Sequence, residues 1–185
     1  MQRALVDLAK SGDEEAFADL ARAVGDRLLS IAYRILRDLS RAEDAVQQTL
    51  VIAWRELPSL RDAERFDAWI HRLLVHACYA EARRARSWTA SVHLLPSDGP
   101  AESDDFLTVA HRDQLERGFR RVPPEQRAVF VLHHYLGLTL PEIADQLGVP
   151  LGTVKSRLHY ATSTLRAALE ADGRSSRQPS VERPA

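Results

Sequence analysis

TLPEIADQLGVPLGTVKSRLHYA, residues 139–161, holds two short helices and a tight turn. Thr139 and Glu142 have the spacing of a capping box, in which each side chain satisfies a free backbone N–H of the other. Ile143, Ala144 and Leu147 then give one short apolar face, with Ala144 small where two helices would cross. Gly148 can adopt the left-handed conformation that ends a helix, and Val149 follows it into the core. A second helix starts near Pro150 or Leu151 and turns Val154, Leu158, Ala161 and Leu165 inward. The pattern is a helix-turn-helix. With that inward face fixed, Lys155, Ser156, His159 and Tyr160 share the outward face. Lys155 can reach guanine acceptors or phosphate, Ser156 either, and His159 and Tyr160 base edges or backbone. Arg157 is placed for a flanking phosphate.

Upstream, the reading stays helical. Phe17, Leu20, Val24, Leu28, Ile31 and Ile35 recur at three- and four-residue spacing, one face of a long amphipathic helix set off by Ser11-Gly12-Asp13. Asp38-Leu39-Ser40 breaks it. Ser40 and Glu43 have capping-box spacing, and the helix they open points Ala45, Val46, Leu50, Ala53 and Trp54 inward before stopping at Pro58. A charged loop from Pro58 to Arg65 precedes a further helix from about Phe66 to Arg86. Val122-Pro123-Pro124-Glu125 starts another helix, since proline suits a first turn, and Gly137 ends it. The expected architecture is all-α, with two small helical domains, residues 1–88 and 106–172. They are joined by a flexible acidic linker, 89–105, and followed by a disordered tail, 173–185.

Charge narrows the function. The 185 residues carry 25 basic and 26 acidic side chains, a net of −1 with histidine neutral. DNA affinity comes largely from neutralised phosphates, so such a chain grips a duplex weakly alone, and a basic partner would supply the missing charge. Residues 87–113 hold one basic side chain (Arg112) against five acidic ones (Asp98, Glu102, Asp104, Asp105 and Asp113), which puts the acidic excess in the linker. Cys78 is the only cysteine, which excludes an internal disulfide and a multi-cysteine zinc site, and it reads as a buried thiol. No apolar run has the length of a signal peptide core or a membrane span. The expected location is the cytoplasm, without membrane insertion.

Residues 54–88 interleave aromatics with arginines, a composition suited to single-stranded nucleic acid, which stacks on rings and binds cations along its backbone. Trp54 and Trp69 lie on apolar faces and read as core. The loop from Pro58 to Arg65 and the basic end Arg83-Arg84-Ala85-Arg86 are the better contacts.

Two blocks resemble the extracytoplasmic-function (ECF, group four) sigma factors of bacterial RNA polymerase. RAEDAVQQTLVIAWRELPSL, followed by RFDAWIHRLLVHACYAEARRAR, is similar to region two of that family. LERGFRRVPPEQRAVFVLHHYLGLTLPEIADQLGVPLGTVKSRLHYA is similar to region four. The resemblance implies a sigma factor that binds core RNA polymerase, through its clamp coiled coil and flap, and directs promoter-specific initiation. Glu43, Asp44, Gln47 and Gln48 would dock on the clamp helices. Leu60, Arg61, Asp62, Ala63 and Glu64, with Arg83 and Arg84, would capture the opened −10 strand. Lys155, Ser156, Arg157, His159 and Tyr160 would read the −35 duplex, and the linker would thread toward the active-site cleft. An anti-sigma factor is a further implied partner. The chain departs from the family at His76, at Ala80-Glu81 and at Tyr160, where an arginine is common.

Two other functions stay in view. A stand-alone helix-turn-helix regulator would bind duplex DNA without polymerase. A metal-dependent enzyme would draw on His71, His76, His133 and His134. The adjacent pair His133–His134 points about 100° apart on a helix, and no HExxH or paired-carboxylate pattern accompanies it. The expectation is therefore no enzyme, no catalytic residue, no metal and no cofactor.

Overall fold

The computed structural model describes residues 2–91 and 116–175. The segment read as the acidic linker lies largely outside them, as does the end of the tail. Helix α1, Gln2–Lys10, buries Val6 and Ala9 against helix α2, Glu14–Leu36. Asp13 caps α2, its carboxylate accepting from the Ala16 amide at 2.9 Å. Glu14 and Glu15 in the first turn complement the positive end of the helix dipole. Leu20, Val24, Leu28, Ile31 and Ile35 are buried along one face, as their spacing predicts.

Helix α2 ends at Arg37, whose φ of 57° is the only positive value at a non-glycine residue among those described. A left-handed backbone disfavours a side chain with Cβ, so the position needs outside support. Arg37 Nε donates to Glu116 at 2.8 Å, and the guanidinium lies over the rings of Tyr33 and Phe119.

Helix α3, Leu39–Glu56, is capped by Asp38, which accepts from the Arg41 amide at 3.1 Å. The expected box at Ser40 and Glu43 is not the cap. Ser40 already lies inside the first turn, and a carboxylate one residue before Leu39 is the better acceptor beside a helix N-terminus. Ala42, Ala45, Thr49 and Ala53 are buried, whereas Trp54, expected inward, is 37% exposed and packs on Phe17 with ring centroids 4.9 Å apart and the rings tilted by 60°.

The charged loop is two single 3₁₀ turns, Leu57–Ser59 and Ala63–Arg65. Helix α4 runs Phe66–Ser91, past the expected end near Arg86. Cys78 is buried on it, and burial, with Glu81 adding to it, pushes the thiol up to about 12, which leaves it inert.

A helical stretch at 116–121 (α5) begins the second block. Helix α6, Pro124–His134, starts on the expected prolines and ends three residues before Gly137, which forms the following turn at φ 71°. Helix α7 is Leu140–Leu147 and α8 is Leu151–Ser175, so the last helix continues past the expected boundary at 172. Gly118 permits close approach of α5 to α8, since a Cβ there would meet Ala168 Cβ at 3.2 Å.

The two blocks pack on each other. Helix α6 lies against α2 and α4 on one side and α8 on the other, and α7 touches α4. Ala128, Val129, Val131 and Leu132 of α6, with Ile143, Leu147 and Val154, join the buried cluster of the first block. A smaller cluster of Val122, Ala161 and Leu165 remains to the second. No strand occurs among the described residues.

Candidate nucleic-acid interface

The turn between α7 and α8 is built as its residues require. Thr139 accepts from the Glu142 amide at 3.4 Å, and Glu142 Oε2 accepts from the Thr139 amide at 2.8 Å. The Thr139 hydroxyl also donates to Glu142 Oε2 at 2.6 Å, and this bond, with the one from the Thr139 amide, holds the Glu142 carboxyl below the usual range. Gly148 has φ 64° and ψ 36°, and the Val149 amide reaches back to Ala144 O at 3.1 Å. Val154, Ala161 and Leu165 are buried and Leu158 packs beside them, so the inward face of α8 is seated.

That seating fixes the other side. Lys155, Ser156, His159 and Tyr160 are all exposed, Tyr160 by 58%, and the His159 and Tyr160 rings lie 5.7 Å apart. Ser156 Oγ donates to Thr153 O at 3.0 Å, which commits the hydroxyl proton and leaves its lone pairs outward. Arg157 stands apart from this set. It is half-buried, and near enough to α4 for its charge to act on the Tyr79 hydroxyl.

On that block, the loop after α3 is pinned at both ends. Leu60 packs on the core, and its amide donates to Leu57 O at 3.0 Å. Asp62 accepts from the Glu64 amide at 2.9 Å, and Glu64 pairs with Arg3 at 2.7 Å. Arg61 is exposed between them, and Ala63 is half-buried. Near the end of α4, Arg83 is exposed, whereas Arg84 is paired with the buried Glu81. Burial, then Arg72 and Arg83, lower the pKa of His76.

Glu43, Asp44 and Gln47 line the exposed side of α3. Gln48 sits partly under it, its Oε1 enclosed without a partner. The same ridge exposes two apolar residues the sequence reading passed over, Leu39 by 55% and Val51 by 45%. Their four-residue spacing with Glu43 and Gln47 was the available signal. An apolar side chain in an amphipathic pattern is assigned inward by default, and only the packing of α3 shows otherwise.

Cations of the first block meet carboxylates of the second. Arg65 pairs with Asp145 at 3.4 Å, Arg86 with Glu125 at 3.3 Å, and Arg37 with Glu116. A cleft of about 480 Å³ separates the loop from α7, lined by Leu60, Arg65, Trp69, Arg72, Asp145 and Gln146 among others. The histidines are dispersed. His71 is buried, His76 exposed, and His133 Nδ1 lies 2.8 Å from Leu138 O. No group of three or more His, Cys, Asp or Glu among the described residues could hold a metal ion.

Comparison with known proteins bears on both blocks. Sigma-70 region 2 matches residues 20–89, and Sigma-70 region 4 matches residues 112–165. The chain is 34% identical over 167 residues to the ECF RNA polymerase sigma factor SigL of Mycobacterium tuberculosis, covering 86% of this chain and 94% of that protein. The chain belongs to the ECF RNA polymerase sigma factors. This sigma factor is also similar to SigW of Bacillus subtilis, at 27% identity over 172 residues, 86% of this chain and 92% of SigW. Two solved structures share its fold, one of them of a sigma factor. CnrH, in complex with the cytosolic domain of CnrY, aligns with a TM-score of 0.63 at 28% identity, over 92% of this chain and 98% of that one. RpoE of Bartonella quintana, in complex with the anti-sigma factor NepR, gives 0.65 at 25% identity, over 84% and 98%. No helix among the described residues of the sigma factor is long and apolar enough to cross a membrane.

Proposed function

We propose that this sigma factor mounts on core RNA polymerase and reads a promoter at two places. Lys155, Ser156, His159 and Tyr160 read the −35 duplex, and the loop Leu60–Glu64 with Arg83 takes the opened −10 strand. The observation that carries this reading is the outward face of α8, set behind a capped and glycine-ended turn. Arg157 and Arg84 contribute less directly than their sequence positions suggest, because one is half-buried and the other is paired. The ridge of Glu43, Asp44 and Gln47, with Leu39 and Val51 adding apolar area, is the docking surface for the clamp helices, with Gln48 at its flank.

The protein makes no covalent change itself. Contacts that form only with a separated strand shift the duplex equilibrium toward opening, and stacking contributes about 1–3 kcal/mol per captured base. An anti-sigma factor would regulate it, a reading supported by the solved relative RpoE, which is bound to the anti-sigma factor NepR.

The test is to reconstitute the chain with bacterial core polymerase on a genomic library and map the transcript starts. New starts behind a shared two-part element are expected. Failure of core enzyme to retain the chain or to change its start sites would overturn this reading, and sequence-specific duplex binding without polymerase would replace it with a stand-alone regulator.

A further inference from the structure

A recess lies where α2, α3, α4 and α6 meet, with a volume of about 300 Å³ and walls that include Leu36, Arg41, Ala82, Arg86, Pro124 and Arg127. That volume is at the small end of ligand sites. Its polar lining is cationic. Arg41 comes from the first turn of α3, Arg86 from the far part of α4, and Arg127 from the first turns of α6.

The nearby carboxylates do not balance it. Asp38 engages Arg41 at 3.2 Å, and Glu125 reaches Arg86 at 3.3 Å. Arg127 is only 7% exposed and has no hydrogen bond or ion pair among the described residues, with its Nε enclosed and lacking an acceptor. Burial, with Arg37 adding to it and Glu125 opposing, brings Arg127 down to about 10, so it is still charged at neutral pH. Glu125 is close enough to act on it but makes no hydrogen bond or ion pair to it, and a buried guanidinium with a donor left unmatched is costly, so native proteins rarely leave one so. Helix α6 also begins here without a side-chain cap, adding a positive helix end to the same wall.

We propose that this recess is a binding site for a small phosphate-class oxyanion, held by Arg127 from below and by Arg41 and Arg86 at the rim. Planar guanidinium forks match a tetrahedral oxyanion with paired N–H donors, and a divalent anion can satisfy several at once. The ligand would join the two blocks, because Arg41 and Arg86 belong to the first and Arg127 to the second. Anything that binds only this packed arrangement stabilises it by mass action.

Inorganic phosphate and adenosine 5′-monophosphate are titrated separately into the full chain against chloride at fixed ionic strength, with thermal unfolding and calorimetry as readouts. A saturable rise in Tm is expected with at least one of them. The pair Arg41→Gln with Arg86→Gln, both at the exposed rim, should weaken it by about tenfold or more while leaving the helical circular dichroism unchanged. Arg127→Met, which keeps the length of the side chain and removes the charge, should abolish the response. A preference for the nucleotide identifies the occupant as a phosphate ester, and equal binding identifies it as the free ion. Phosphate and nucleotide behaving like chloride, or binding that survives the rim pair unchanged, would overturn the site.

Discussion

Lys155 and His159 stand one turn apart on α8 with their side chains in solvent, and nothing in the core depends on them. Replacing both with alanine should therefore leave the fold and polymerase retention as they are, and lower promoter-specific transcription by about tenfold or more if each contributes of order 1 kcal/mol. Run-off transcription alongside a core pull-down checks this, and loss of retention would mean that this face belongs to the polymerase. His71 acts through burial instead. Burial first, then Arg27, with Asp67 opposing, lower its pKa from 6.5 to about 4. The unfolded chain then binds the proton more readily, so stability rises with pH across that window and is lost as pH falls from about 6.5 toward 4. The difference is on the order of 2–3 kcal/mol. Urea denaturation at pH 7 and pH 4.5 should give a smaller difference for His71→Phe than for the parent. An equal difference would assign the acid sensitivity to other groups.

At the scale of single elements, the caps carry consequences that can be separated from the core. Thr139→Ala removes the side-chain acceptor for the Glu142 amide, which should cost about 1 kcal/mol, whereas Thr139→Ser should restore most of it in thermal unfolding. The pinned loop makes a different claim. Alanines at Arg61, Asp62 and Glu64 should reduce strand opening more than closed-complex formation, read as lower permanganate reactivity of promoter thymines. Unchanged reactivity would remove the loop from the opening step. These two elements also differ in how legible they were. The Thr139–Glu142 box, Gly148 and the inward residues of α8 were all readable, because cap, glycine and apolar spacing are local and agree with one another. Ser40 and Glu43 had the same spacing, yet Asp38 took the cap, since two acceptors within three residues compete and the sequence holds no measure of which backbone amide is nearer. Trp54 and Val51 fall in an apolar pattern, but which part of that arc is covered depends on where α2 and α4 lie.

Over the whole molecule, the decisive feature is the seat of α6. Leu132, in the second block, is fully buried in the cluster that fills the first. Leu132→Ala should cost about 2–5 kcal/mol, and it should shift tryptophan fluorescence and far-ultraviolet circular dichroism together. All three tryptophans (Trp54, Trp69 and Trp88) are in the first block, so a tryptophan transition that ignored this change would show that the blocks unfold independently. The charge pattern across the seam points the same way. Arg65, Arg86 and Arg37 meet Asp145, Glu125 and Glu116, and the exposed pair Arg65–Asp145 contributes little by itself. By itself, the sequence determined the helices, the two blocks and the outward face of α8, because periodicity, caps and turn glycines act within a few residues of one another. Only the tertiary structure decided that the blocks share a core, that Arg157 is half-buried and that Arg127 Nε is enclosed without an acceptor. Those facts arise from residues about fifty to a hundred positions apart coming within van der Waals reach, and no local pattern encodes that distance.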